Sequence, residues 1–578
     1  MRYLVVKKIN CDFTVAAGAA CISMLIACFS LGIWQMDLSV LPGIGGDGVL
    51  AAFLSKSIQE NGWKGVFINT MVGAPDSSSL IDVPFFDYNM IFLIWIINKC
   101  TGNYIKTIYI FYILTYGMSA ISMFFLLKQL NIKRFVNFVI SILFAAAPYH
   151  FYRGIGHITL SNYFTIPLGV YLAFVIYENY FSLWEQNGDK KKLRKKSIGM
   201  LLLAVLTGTG QLYFSFFSFI AMLMALIIVM LRKGSFKPLR NEGILVYSTC
   251  LSMFAGVVPK IMYGVLHGQN QIAGIRVPME AELYGMKIIE LLLPVSYSRI
   301  GFLADINTKY ATSGVWVSEN IMSPLGMAAS MAFLILCGWF MYSFLVRKKN
   351  KLSGRLDFIA FMIFIFVLFC TVGGFGTLFN FLITPQIRAY NRASILIACF
   401  ALTGLAALLN AVTKKTVYSI VCVLLLVTGI YDQVLIHARG WQDPIIVLQH
   451  DYQQFFEQVE AGLQDHAMVY ELPHMNFPEA PAIHNMQDYT PFLGYLFTES
   501  VRWSYGGIIG RNDAAKELYI DQGKSQRFLN GIKESGFCGV LIDTYAYEDD
   551  GQEMIQYYKK FEYKEIVSND KRFYFYKI

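Results

Sequence analysis

The chain has 578 residues, of which 56% are hydrophobic and 15% charged, with a formal net charge of +9. A soluble domain carries about 25% charged residues, so this balance excludes an ordinary water-soluble protein and points to a membrane. The positive charge lies in short runs between apolar stretches, so it reads as a topology signal, and phosphate-backbone binding to nucleic acid is a poor second reading.

Met1 to Asn10 is followed at once by an apolar run to Ile33. That run is too long for a signal-peptide core and lacks a convincing cleavage site, so it reads as a retained first helix. A crossing takes about 20 apolar residues of helix. On that basis eleven spans are expected, at about 12–34, 104–127, 135–147, 158–179, 197–208, 212–231, 241–261, 322–346, 356–383, 391–412 and 417–435. Two of them, 135–147 and 197–208, are short for a full crossing. A break at Gly208–Gln211 is expected, because one helix over 197–231 would carry Arg232 to Arg240 to the outer side.

Basic clusters at Arg2–Lys8, Lys128–Arg134, Lys190–Lys196, Arg232–Arg240, Arg347–Arg355 and Lys414–Lys415 then all fall on the cytoplasmic side. By the positive-inside rule the N-terminus is cytoplasmic and the C-terminus outside. Past residue 436 the apolar runs shrink to strand length at Met468–Leu472, Gly539–Ile542 and Arg572–Tyr576, with helical periodicity at Tyr452–Leu463 and Gln526–Glu534. The expected fold is therefore a polytopic α-helical membrane protein, 1–435, carrying an extracytoplasmic α/β domain, 436–578. Most of the ten cysteines lie in apolar spans and no CxxC occurs, so neither a disulfide framework nor a cysteine zinc site is supported.

The outer segments 35–103 and 262–321 carry the residues with chemical potential, and within the first, Val49–Ile58 and Phe86–Ile97 read as short interfacial helices. Just beyond helix one stands Gly43-Ile44-Gly45-Gly46-Asp47-Gly48. Asp47 is either a general base for an acceptor hydroxyl or the cap of the helix that starts near Val49. Asp76, Asp82 and Asp87 follow in the same loop. In the second loop Arg276, Glu280, Glu282 and Tyr284 crowd one stretch, RVPMEAELYG. Guanidinium suits a lipid phosphate and carboxylates suit sugar hydroxyls; the bland alternative is a solvated, salt-bridged loop.

Arg388, Asn391 and Arg392 lie at the expected outer interface, where the positive-inside rule predicts few arginines. They bind either a phosphate or lipid headgroups. Tyr149 to Arg153 and His157 end helix three, and there an interfacial structural role is favoured over sugar contact. In the tail, Arg502-Trp503-Ser504-Tyr505 and Arg511 suit carbohydrate contact, although Trp503 is as readily a core residue.

Assembled, these features resemble the GT-C superfamily of membrane glycosyltransferases, and in particular its bacterial members using polyprenyl-phosphate sugars, including YfhO-like proteins. The acid after helix one (Asp47), the long first loop with IDVPFFDYN and the exported tail carry the resemblance, which is specific only over 35–170. It implies inverting transfer of a sugar from a polyprenyl-phosphate donor to an envelope glycopolymer or glycolipid, at the outer face of the plasma membrane. Asp47 would be the base. Arg276, Arg388 and Arg392 would meet the leaving phosphate, and Asp82, Asp87, Arg153, His157, Glu280, Glu282 and Tyr284 join the candidate substrate-binding set. Gly48 stands where the family usually has a second acid, which leaves the part of a divalent metal open. The competing classes are a lipid-linked-sugar flippase and a non-catalytic envelope scaffold. Inverted repeats, common in transporters, are not seen.

Overall fold

A computed structural model describes residues 2–82, 87–179, 190–314, 317–319, 321–345, 351–511 and 513–578. Val83 to Phe86 of the acidic stretch, Arg347 to Lys349, and the side chains of Arg2, Lys7, Lys8 and Lys190 to Lys195 lie outside what is described. Among the described residues, eight helices are long and apolar enough to cross a membrane, and three shorter apolar helices accompany them. Each of the eleven expected spans overlaps one of these helices, eight of them at crossing length.

Helix α1 (Arg2–Leu31) packs on α4 (Tyr104–Gln129), and the two loops between them fold as α2 (Gly46–Asn61) and α3 (Tyr88–Thr101). Asn103 starts α4 by accepting hydrogen bonds from the Ile105 and Lys106 amides, and Asp87 does the same for α3 through Met90. The short span near 135–147 is completed by a second turn of chain: helix Arg134–Ala145 runs into Pro148–Arg153, with proline where its missing N–H costs nothing. The expected break is present. One helix ends at Gly208, and Gln211 caps the next, Leu212–Lys233.

The expected single span 356–383 is corrected. Its helix stops at Cys370, and Met286 bridges across the break, donating its N–H to the Cys370 carbonyl while accepting from Val372. Gly373 sits at φ +70°, and a side chain at Gly374 would strike the Leu368 carbonyl. The remaining residues form a separate helix, Phe375–Leu382, with Phe375, Leu378, Phe381 and Leu382 exposed.

Strands β1 (Ile68–Asn69) and β2 (Ser78–Ser79) pair antiparallel in the first outer loop, and the tail beyond Gln433 forms a five-stranded sheet from β3 (Met468–Leu472), β4 (Arg502–Trp503), β5 (Phe537–Asp543), β6 (Lys564–Val567) and β7 (Phe573–Lys577), in the order β4-β3-β5-β7-β6. Strand β3 runs parallel to β4 and β5, whereas β7 is antiparallel to both its neighbours. The first outer loop joins this sheet at its edge: Trp503 donates to the Met71 carbonyl, and Gly73 and Ala74 donate back to Tyr505 and Trp503. One hydrophobic core is continuous from α2 into the tail, where Phe53 stacks on Phe492 with ring centroids 3.9 Å apart. Buried Lys56 donates to the carbonyls of Tyr495 and Thr498, each at 2.7 Å, so the tail is seated on the first loop.

Candidate active site

Asp47 occupies the first turn of α2, one residue after its start, and not the cap position that sequence allowed as an alternative. The preceding glycines are required by a close approach. A side chain on Gly45 would come within 2.4 Å of Gln487 Oε1 and 3.0 Å of Thr490 Oγ1, and Gly46, at φ +63°, donates its N–H to the Asp488 carbonyl at 2.9 Å. That fixes the start of α2 against the loop following β3. Asp47 Oδ2 lies 2.6 Å from Nδ1 of His157, at the head of the short helix Ile158–Ser161.

The pair faces a cavity of about 720 Å³. Arg276, Tyr284, Arg388 and Arg392 line it, as do Glu319, Glu479 and Asp488. Four separate stretches of chain therefore converge on Asp47. Arg276 makes a two-pronged contact with Glu479 at 2.7 Å, and Arg388 pairs with Glu280 while reaching Glu479 at 3.8 Å. The Arg388 guanidinium also lies over the Tyr284 ring, 4.8 Å from its centre. Glu319 accepts from Arg153 at 2.5 Å, Asn391 at 2.9 Å and Arg392 at 3.2 Å. Burial opposes the charge on Glu319, but Arg153 and Arg392 hold its carboxyl well below the usual range. Burial opposes Glu479 likewise, and Arg276 and Arg388 hold it low.

A second cavity of about 230 Å³ adjoins the first, sharing Arg276, Arg388, Arg392 and Glu479 and adding Asp87, Gln211, Tyr213 and Lys260. The arginines thus stand between two spaces. The buried Nε of Arg392 has no hydrogen-bond partner, and neither do Nε and Nη1 of Arg153. Unpartnered buried donors on cations are costly, and that of Arg392, which lines both cavities, is open to an anionic oxygen.

The remaining sequence candidates divide. Arg153 is fully buried beneath Glu319, outside the cavity linings, and Glu280 acts through Arg388. Asp87 lines the small cavity, accepting from Asn162, and its burial pushes its carboxyl up to about 7. Asp82 lies outside both linings: it is buried and holds Arg511 of the tail at 2.6 Å and Asn270 at 3.4 Å. Glu282 falls outside both linings, in the short helix Glu280–Leu283 that Tyr284 ends. In the tail, Trp503 is core at 1% exposure, and Arg502 donates to the carbonyls of Thr70, Pro75 and Asp76. Glu319, Glu479 and Asp488 were not singled out by sequence. Among the described residues no group of three His, Cys, Asp or Glu is arranged to hold a metal ion.

The fold and site together define a multi-span membrane protein with an ion-paired polar cavity roofed by its own tail. The chain belongs to the family described as Domain of unknown function (DUF6311), whose model matches residues 59–370, more than half its length. No curated protein matches it. Among solved structures it is similar to the archaeal oligosaccharyltransferase AglB from Archaeoglobus fulgidus, in complex with an inhibitory peptide and a dolichol-phosphate. That match has 11% identity and a TM-score of 0.41, over 95% of this chain and 71% of AglB. It is also similar to the arabinofuranosyltransferase AftD from Mycobacteria, with 12% identity and a TM-score of 0.42, over 92% of this chain and 35% of AftD. Both are glycosyl-group transferases by name, and the functional reading of this chain rests on the cavity itself.

Proposed function

We propose that this protein is a membrane glycosyltransferase of the GT-C kind, moving a sugar from a polyprenyl-phosphate donor to a glycopolymer or glycolipid. The observation that carries the reading is one cavity holding a carboxylate–imidazole pair, Asp47 with His157, together with three arginines. His157 donates to Asp47 Oδ2 and so turns the other oxygen toward the cavity, where it accepts the proton of an acceptor hydroxyl. As that oxygen bonds to the anomeric carbon, the bond from carbon to the phosphate oxygen breaks and its electron pair leaves on the phosphate. Arg276, Arg388 and Arg392 face the growing charge. A single displacement of this kind inverts the anomeric centre.

Arg276, Arg388 and Arg392 supply fixed positive charge for the phosphate of a donor, each held in place by an acidic partner. A reading with the cavity and tail on the outer face is supported by the described loop cations Lys128, Lys133, Arg134 and Arg355 at the other end of the bundle.

The test is to give purified full-length protein short-chain polyprenyl-phosphate sugars and a host envelope-glycan extract, then measure lipid phosphate released and sugar incorporated. Asp47→Asn keeps the shape but loses the proton affinity, so turnover should fall about 10²–10⁴-fold with thermal stability nearly unchanged. Near-normal turnover by this variant would remove Asp47 from the chemistry. Donor crossing a bilayer intact, with no phosphate released, would make the protein a flippase.

A further inference from the structure

The first loop brings one acid, Asp47, to the cavity, with Gly48 following it. The tail delivers another. The chain leaving β3 at Leu472 runs back toward the bundle, and Pro478, Glu479, Ala480, Pro481, Asp488 and Tyr489 all line the large cavity. Carboxyl ends of parallel strands are where open α/β sheets build ligand sites, and here that edge of β3 opens onto the membrane cavity. The loop holds an awkward course: Glu479, His484 and Tyr489 all lie in the left-handed backbone region, at φ 59°, 49° and 60°. Such strain persists only where the surroundings enforce it and is concentrated at functional sites.

Within this loop the backbone does the docking and one side chain is left over. The Asp488 carbonyl accepts from Gly46, and Gln487 and Thr490 press on Gly45. The Asp488 carboxylate is half-buried, lines the cavity, and pairs with no cation among the described residues. Glu479, on the same loop, is by contrast committed to Arg276 and Arg388. Burial and then the charge of Asp47 push the Asp488 carboxyl above its usual range, which reports two carboxylates close together in one space.

We propose that Asp488 is the acceptor-orienting residue of the transferase site, accepting a hydrogen bond from the hydroxyl adjacent to the one Asp47 deprotonates. The acceptor is then a sugar presenting two neighbouring free hydroxyls, and specificity resides in the tail, not in the membrane helices. This rests on the transferase reading above. Asp488 moves no proton and breaks no bond; it fixes the rotation of the acceptor ring, so its loss should weaken acceptor use and spare donor activation.

The test compares wild type, Asp488→Asn and Gly45→Ala in the full-length protein. Each is given a polyprenyl-phosphate sugar that the wild type turns over, with and without host envelope-glycan extract. Asp488→Asn should lower kcat/KM for acceptor about 10- to 100-fold, the range for a hydrogen bond to a charged group. Release of lipid phosphate into water without acceptor should fall at least about tenfold less than transfer to acceptor does. Gly45→Ala displaces Asp47 together with its contact to the tail and should lower release into water and transfer to acceptor alike, so an acceptor-selective loss separates Asp488 from a general disturbance of the site. Extract whose adjacent diols have been cleaved with periodate should no longer serve the wild type. Unchanged acceptor dependence in Asp488→Asn, or full acceptance of periodate-treated extract, would overturn the proposal while leaving transfer intact. A wild type that releases no lipid phosphate from any donor would overturn transfer itself, and this proposal with it.

Discussion

The two ends of the apolar bundle use the same charged residue types in opposite ways. At one end Asp12 pairs with Lys128 at 3.4 Å and Arg134 at 2.5 Å, and both cations are more than 40% exposed. Arg355 reaches Glu178 at 2.8 Å, and Lys133 donates to the Val412 carbonyl. These are short loops whose charges keep one side in water. At the other end Arg153 is fully buried, and Glu319, Arg276, Arg388 and Arg392 are mostly covered. Burying an ion pair costs several kcal/mol per ion before attraction offsets it, and packed apolar side chains often do as well for stability. The exposed pairs mark an orientation; the buried ones hold guanidinium groups in fixed positions around a space, at a cost that a structural role alone does not require.

That contrast is broken most directly by conservative arginine swaps. Arg392→Lys keeps the charge but loses the fork that meets Glu319 and leaves Nε free, and Arg388→Lys loses its contact over the Tyr284 ring. Each should lower kcat for transfer about 10- to 100-fold, with a smaller change in donor KM, if the arginines meet charge that grows only in the transition state. Arg355→Lys at the other end should change kcat less than about twofold. Equal losses at both ends would mean that the buried cluster only stabilises the fold.

How far the sequence disclosed this arrangement depends on the range of the signal. Apolar spans are local runs, so even the break at Gly208–Gln211 was legible, whereas the stop at Cys370 was not, because a contact with distant Met286 defines it. Asp47 stood out through its glycines, and Arg388 and Arg392 through being cations on the wrong side of a topology. Glu319, Glu479 and Asp488 are single acids in polar loops; nothing within a few residues of them differs from a solvated turn, and only tertiary folding shows what they face. His157 went against the bland reading: interfacial histidines are commonly structural, but this one meets Asp47. Asp82 went the other way, an acid in a candidate loop that serves to anchor Arg511.

A middle-sized effect concerns pH, and it sharpens the same contrast. Asp87 is buried beside the small cavity with its carboxyl pushed up to about 7, whereas an unfolded aspartate titrates near 3.9. The folded protein therefore holds a proton that the unfolded chain releases. Stability from this group is fully present below about pH 4 and is lost as pH rises through 7. The melting temperature of the solubilised protein should fall between pH 5 and pH 8, and Asp87→Asn should flatten that fall by a few degrees. An Asp87→Asn profile parallel to wild type would place the titration elsewhere.

The smallest effect belongs to the loop end and calibrates the others. Glu178 Oε1 accepts from both Nε and Nη2 of Arg355, at 3.0 and 2.8 Å, but its side chain is 38% exposed. Water competes for both partners, and holding two long side chains in register costs entropy, so an exposed pair contributes about 0–1 kcal/mol. Arg355 also donates to the Leu130 carbonyl, which remains when the acid is gone. Glu178→Gln should therefore shift the melting temperature by no more than about 2 °C and leave the kinetics of transfer unchanged. A drop comparable to that of a cavity-end variant would show that ion pairs at the two ends are energetically alike, and burial would then no longer separate a binding site from an orientation signal.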